Sequence, residues 1–107
     1  MPQRVTVAKL TDIPAGGSTV VSVNRKDVAI FNVGGTLLAV DDFCPHMGAS
    51  LAGGYVEDGC VTCPWHFWRF RLADGAWADN SKVKIGAYAV HVAGDDVQLE
   101  LPDLPVV

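Results

Sequence analysis

The sequence predicts an all-β fold of antiparallel strands, and three observations lead there. Short runs that alternate or concentrate apolar residues recur along the chain, each bounded by turn formers. No stretch of 10 residues keeps a helical period, and 11 glycines and 6 prolines would interrupt most helices. The length of 107 residues suits a single domain and excludes a second independent core.

In chain order, residues 4–9 alternate apolar and polar and form the first predicted strand. Residues 19–23, 28–31 and 36–40 follow as strands. Between them stand Pro14, Gly16, Gly17, Asn24, Gly34 and Gly35, whose backbone preferences suit tight reversals. Residues 88–92 and 97–101 repeat the pattern near the end, and Ala93-Gly94-Asp95-Asp96 between them predicts a closing hairpin. The middle differs, because residues 41–80 carry 7 of the 9 aromatic residues, all three cysteines and two of the three histidines. Without a repeat, low-complexity tract or linker at its borders, this stretch is expected to be an insertion on the β scaffold within one domain spanning residues 1–107.

Half the residues are hydrophobic, 19% are charged and the mean hydropathy is +0.25, a composition that can bury a core. No apolar run reaches the roughly 18 residues of a membrane helix, and MPQRVTVAKL does not resemble a secretion signal. A cytoplasmic protein is expected, with no membrane partner. A net charge of −4 and a pI near 5.1 argue against nucleic acid as a partner. Three cysteines are an odd number for a disulfide framework, so metal binding or chemistry is the better expectation.

Two short boxes carry that expectation: Cys44-Pro45-His46-Met47-Gly48-Ala49 and Cys63-Pro64-Trp65-His66. Each offers one thiolate and one imidazole, the ligands that soft and borderline metals prefer. Pro45 and Pro64 fix the local backbone directly after each cysteine and cannot donate a hydrogen bond, which favours rigid turns. A single zinc ion fits poorly, since zinc ligands are usually separated by two to five residues and one residue separates Cys44 from His46. A binuclear centre relaxes this, with each box giving its cysteine to one iron and its histidine to the other.

The pattern C-x-H-x16-C-x2-H, with Gly48 and a proline in each box, resembles the Rieske [2Fe-2S] ferredoxin family. The resemblance implies an antiparallel β sandwich of about three sheets with a two-loop cluster-binding subdomain over about residues 41–80. It implies one [2Fe-2S] cluster, with Cys44 and Cys63 on the inner iron and His46 and His66 on the outer one. It further implies an electron carrier with no catalysis of its own. Such a carrier takes electrons from an NAD(P)H-dependent flavin reductase, gives them to a terminal oxygenase, and docks transiently near His46 and His66. The alternative within the same resemblance is the small subunit of an assimilatory NAD(P)H nitrite reductase.

Two ferric ions, two sulfides and two thiolates sum formally to zero, so such a centre accepts an electron more readily than one with four thiolates. Rieske centres accordingly lie at about −150 to +300 mV, against roughly −400 mV for plant-type ferredoxins. High-potential members resemble C-T-H-L-G-C with C-P-C-H-G-S-x-Y, whose disulfide and hydroxyl donors raise the potential. Here Ala49 and Trp65 stand at the disulfide positions, and Trp68 and Phe70 at the hydroxyl positions. A potential in the lower half of the window follows.

Other residues have plainer expectations. Cys60, ahead of Val61-Thr62 on a predicted strand, is expected to be a buried thiol and not half of a dithiol pair. His91 is expected on the late hairpin, away from the boxes. Alternation sends Trp68 and Phe70 toward the core, while Trp65 and Phe67 flank His66 and could shield the cluster. Phe67 departs from the glycine common at that place in the family. Arg69 and Arg71 could face an acidic partner or solvent, and the acidic residues Asp95, Asp96 and Glu100 are expected on a solvated face.

Overall fold

A computed structural model of the chain describes residues 3–23, 26–42, 50–63 and 68–101. Among these residues eleven strands run in order: β1 (Gln3–Lys9), β2 (Ser18–Val23), β3 (Lys26–Val33), β4 (Thr36–Asp41), β5 (Tyr55–Glu57), β6 (Cys60–Thr62), β7 (Arg69–Arg71), β8 (Ala76–Trp77), β9 (Asn80–Lys84), β10 (Ala87–Ala93) and β11 (Asp96–Leu101). The other regular elements among the described residues are 3-10 turns at Leu10–Asp12 and Leu51–Gly53. Every strand predicted from apolar patterning is present, and every pairing is antiparallel.

One sheet has the order β1-β11-β10-β4-β3-β2, and the second β5-β6-β7-β8-β9. Strand β10 divides the first sheet into two ladders, because Ala89–Ala93 pair with β11 whereas Ala87 and Tyr88 pair with Val40 and Ala39 of β4. The three expected sheets are thus two ladders sharing β10 plus the sheet inserted between β4 and β10. Of the segment boundaries expected at 41–80, the second sheet itself occupies Tyr55 to Lys84.

The side-chain alternation of β3 and β4 explains how two hydrophobic clusters coexist in so short a chain. In β3, Val28 and Ile30 point to one face and Ala29 and Phe31 to the other, and all four are buried. Val28 and Ile30 join Ile13, Leu37, Ala39, Val97 and Leu99 inside the curled first sheet. Ala29 and Phe31 join Val40, Leu51, Val61, Cys63, Phe70, Leu72 and Ile85 against the second sheet. The clusters are therefore two sides of one wall and not independent cores. Burial on both faces is also why residues 28–31 form a continuous apolar run where a half-exposed strand would alternate.

The β5–β6 hairpin turns at Asp58-Gly59, with φ of 53° and 75°, the backbone that a two-residue type I′ turn requires. Asp58 is the one non-glycine residue with positive φ among those described, and aspartate tolerates that region better than most side chains.

Candidate metal centre

Each box falls in a connection between regular elements. The first lies between the end of β4 and the 3-10 turn at Leu51–Gly53, and the second between β6 and β7. Of the four candidate ligands, Cys63 is described and fully buried. Cys44, His46 and His66 lie outside the described residues, as do Pro45, Met47, Gly48, Ala49, Pro64, Trp65 and Phe67. Among the described residues no group of three or more His, Cys, Asp or Glu side chains could hold a metal ion.

What the structure brings together is the roots of the two box-bearing segments. Leu51, which follows the first, and Cys63 and Phe70, which bracket the second, belong to one buried cluster, with Ala52 and Trp68 packed against it. The second segment is closed by a backbone bond, the Cys63 N–H donating to the Trp68 carbonyl at 2.7 Å. Trp68 then stacks on Trp77 with centroids 3.9 Å apart and planes 9° from parallel, and meets Phe70 at 6.3 Å in a tilted contact. The Trp77 indole N–H is buried with no hydrogen-bond partner among the described residues.

The first segment is closed differently. Asp42 is only 9% exposed, and its carboxylate accepts from the Ser50 hydroxyl at 2.6 Å and from the Ala52 N–H at 2.7 Å. Its own N–H donates to the Asp27 carbonyl at 2.9 Å. The neighbouring Asp41 ties the same root to β10: its carboxylate accepts from the Gly86 N–H at 2.8 Å and the Tyr88 hydroxyl at 2.5 Å. Burial, reinforced by the bond to Asp41, pushes the Tyr88 phenol well above its ordinary value.

A thiol at the buried base of one segment, on a core shared with the root of the other, fits the donor set that a two-box iron-sulfur site needs. The remaining single-residue expectations come out as follows. Cys60 is buried at 8% exposure as a small apolar group, Phe70 is fully buried, and Trp68 is half-buried against the second cluster. His91 stands on β10, its Nε2 2.7 Å from the Glu100 carboxylate across the hairpin. Arg69 is exposed, whereas Arg71 pairs with Asp74. The acidic face is partly neutralised, since Lys9 pairs with Asp96. Sequence reading missed the roles of Asp41 and Asp42 as anchors. An Asp-Asp pair one residue ahead of the first box was the signal available, and it does not reveal partners 8 to 47 residues away.

Residues 3–89 match the model of the Rieske [2Fe-2S] domain. The ferredoxin subunit of a 3-phenylpropionate/cinnamic acid dioxygenase from Shigella flexneri serotype 5b (strain 8401) is 35% identical over 102 residues, covering 94% of this chain and 95% of that protein. A chain in the solved complex of reduced oxygenase and oxidised ferredoxin of carbazole 1,9a-dioxygenase matches with a TM-score of 0.81 and 27% identity, covering 95% of this chain and 97% of its own. A structure described as an NADH-dependent nitrite reductase small subunit from Mycobacterium tuberculosis matches with a TM-score of 0.88 over 97% of this chain and 99% of its own. At 23% identity that likeness establishes the shared fold alone. No helix among the described residues is long and apolar enough to cross a membrane.

Proposed function

Because the chain belongs to the Rieske [2Fe-2S] domain family, we propose that it is a one-electron carrier holding one [2Fe-2S] cluster by Cys44, His46, Cys63 and His66. A [2Fe-2S] cluster, when bound, takes up and gives back a single electron. The chain's residues supply the grip: Cys44 and Cys63 as thiolates on one iron, His46 and His66 as neutral imidazoles on the other. Residues of about 41–80 form the cluster-binding part of the single domain spanning 1–107. Trp68 and Phe70, where hydroxyl donors stand in high-potential members, offer the cluster no hydroxyl hydrogen bond, so the potential falls in the lower half of the Rieske window.

The observation that carries this reading is the common root: the two segments bearing the Cys-Pro-x-His and Cys-Pro-His boxes spring from one buried cluster that contains Cys63 itself. In our reading electrons come from an NAD(P)H-dependent flavin reductase and go to a terminal oxygenase, in the cytoplasm, through transient docking near His46 and His66. The chain turns over no substrate of its own. Support for the oxygenase partner comes from the 35% identity to a dioxygenase ferredoxin subunit over nearly its whole length. The nitrite reductase alternative has fold likeness only.

The test is anaerobic purification followed by iron and acid-labile sulfide analysis and paramagnetic resonance of the reduced protein. Two irons and two sulfides per chain are expected, with reduction by a flavin reductase and reoxidation by the oxygenase. Protein without iron and sulfide would overturn the cluster. A cluster that the reductase leaves oxidised would overturn the carrier role.

A further inference from the structure

We propose that Asp42 is a positioning residue for the first ligand-bearing segment, fixing the approach of Cys44 and His46 through its bonds to Ser50 and Ala52. This rests on the cluster reading above. The described residues that flank the two segments are joined by different chemistry, and the difference makes one junction depend on a single side chain. Residues 64–67 are bracketed by a main-chain bond from Cys63 to Trp68 at 2.7 Å, which no side-chain substitution removes directly. Residues 43–49 are bracketed by the Asp42 carboxylate, both of whose oxygens are engaged, one by the Ser50 hydroxyl at 2.6 Å and one by the Ala52 N–H at 2.7 Å.

Both ends of this clasp are themselves fixed. The Asp42 N–H is bonded to the Asp27 carbonyl next to β3, at 2.9 Å. The Ala52 carbonyl accepts from the Ser18 hydroxyl of β2 at 3.0 Å, so the residue is gripped at its N–H and at its carbonyl. Leu51, between the two donors Ser50 and Ala52, is fully buried and cannot swing outward without exposing apolar surface. A nearly buried carboxylate with two short charge-assisted bonds orders its surroundings strongly, and deleting it leaves the Ala52 donor unsatisfied. Asp42 thus ties the residue before the first segment to the two that follow it, a place from which residues behind a metal's own ligands commonly set their orientation.

The experiment compares Asp42→Ala, Asp42→Asn and Ser50→Ala in the full chain with its cluster. The readouts are the resonance spectrum of the reduced protein and the rate at which an iron chelator bleaches it. Asp42→Ala should shift the g-values and bleach at least tenfold faster. Asp42→Asn should restore both to within about twofold of the wild type, because the amide oxygen accepts from Ala52 and the amide N–H donates to the Ser50 hydroxyl. Ser50→Ala, which keeps the Ala52 bond, should depart in the same direction by a smaller factor. An unchanged spectrum and bleaching rate in Asp42→Ala and Ser50→Ala overturns the proposal. So does an Asp42→Asn variant as defective as Asp42→Ala, since the effect then belongs to the lost charge. Should Asp42→Ala not fold, the other two variants decide by the same criteria. Wild-type protein without iron and sulfide instead overturns the cluster reading.

Discussion

Gly54 opens β5 at a point where the chain has no room for a side chain. A Cβ built there would lie 2.1 Å from the Thr62 carbonyl oxygen and 3.2 Å from that of Leu51. Carbon and carbonyl oxygen rarely approach closer than about 3.3 Å, so Gly54→Ala requires the main chains of β5 and β6 to part by about 1 Å. Neither neighbour is a flexible side-chain end that can rotate away. Overpacking of this kind costs about 1–3 kcal/mol, and the backbone obstacle places it near the upper limit. For a domain of this size each kcal/mol lowers the melting temperature by about 4–8 °C, so a drop of roughly 10–20 °C is expected. The displaced carbonyl belongs to Thr62, the residue before Cys63, so the iron content of the purified variant should fall as well. Thermal melts of the iron-loaded and iron-free forms measure both effects. Gly53→Ala is the internal control, because nothing among the described residues lies within 4 Å of a Cβ at Gly53, and it should stay within about 0.5 kcal/mol of the wild type. A Gly54→Ala protein that melts with its Gly53→Ala counterpart would refute the close-approach argument.

Phe70→Ala removes the largest fully buried side chain among the described residues and should cost about 3–5 kcal/mol in chemical denaturation; a loss below 1 kcal/mol would mean the second cluster repacks freely. Tyr88→Phe deletes the bond to Asp41 and should cost about 1 kcal/mol at neutral pH. Because the folded chain holds the Tyr88 proton more tightly than the unfolded one, wild-type stability should be intact below pH 10 and decline as pH rises beyond it. Tyr88→Phe should flatten that decline, as urea melts across pH 8 to 11 would record. His66→Cys, by exchanging an imidazole for a thiolate, should keep some cluster and lower its potential; protein-film voltammetry giving an unchanged value would remove His66 from the ligand set.

The long strands were legible because each carries enough residues for apolar patterning to register, as residues 4–9 and 97–101 do. Strands β5, β8 and β9 were not, since Tyr55–Glu57 and Ala76–Trp77 are too short to show a period and Asn80–Lys84 is mostly polar. The Asp58-Gly59 dipeptide was a usable hairpin signal in that region. Local burial was also readable: Cys60, Trp68 and Phe70 sit as their neighbours in sequence imply. The Asp42 clasp and the Trp68–Trp77 stack were not, because each depends on strands and turns that meet only when the second sheet folds against β3 and β4. The two boxes stand out by residue type and spacing, whereas the contacts that hold their flanks depend on tertiary closure.

The wall formed by β3 and β4 has a consequence for how the molecule comes apart. Phe31 and Val40 line the inserted sheet's cluster while their immediate neighbours Ile30 and Ala39 line the other. Losing either layer strips the partition on one side, leaving strands whose remaining face cannot sustain them in water. A single melting transition is accordingly expected for the protein without iron, with the layer against the second sheet and the distant β1–β11 ladder lost together.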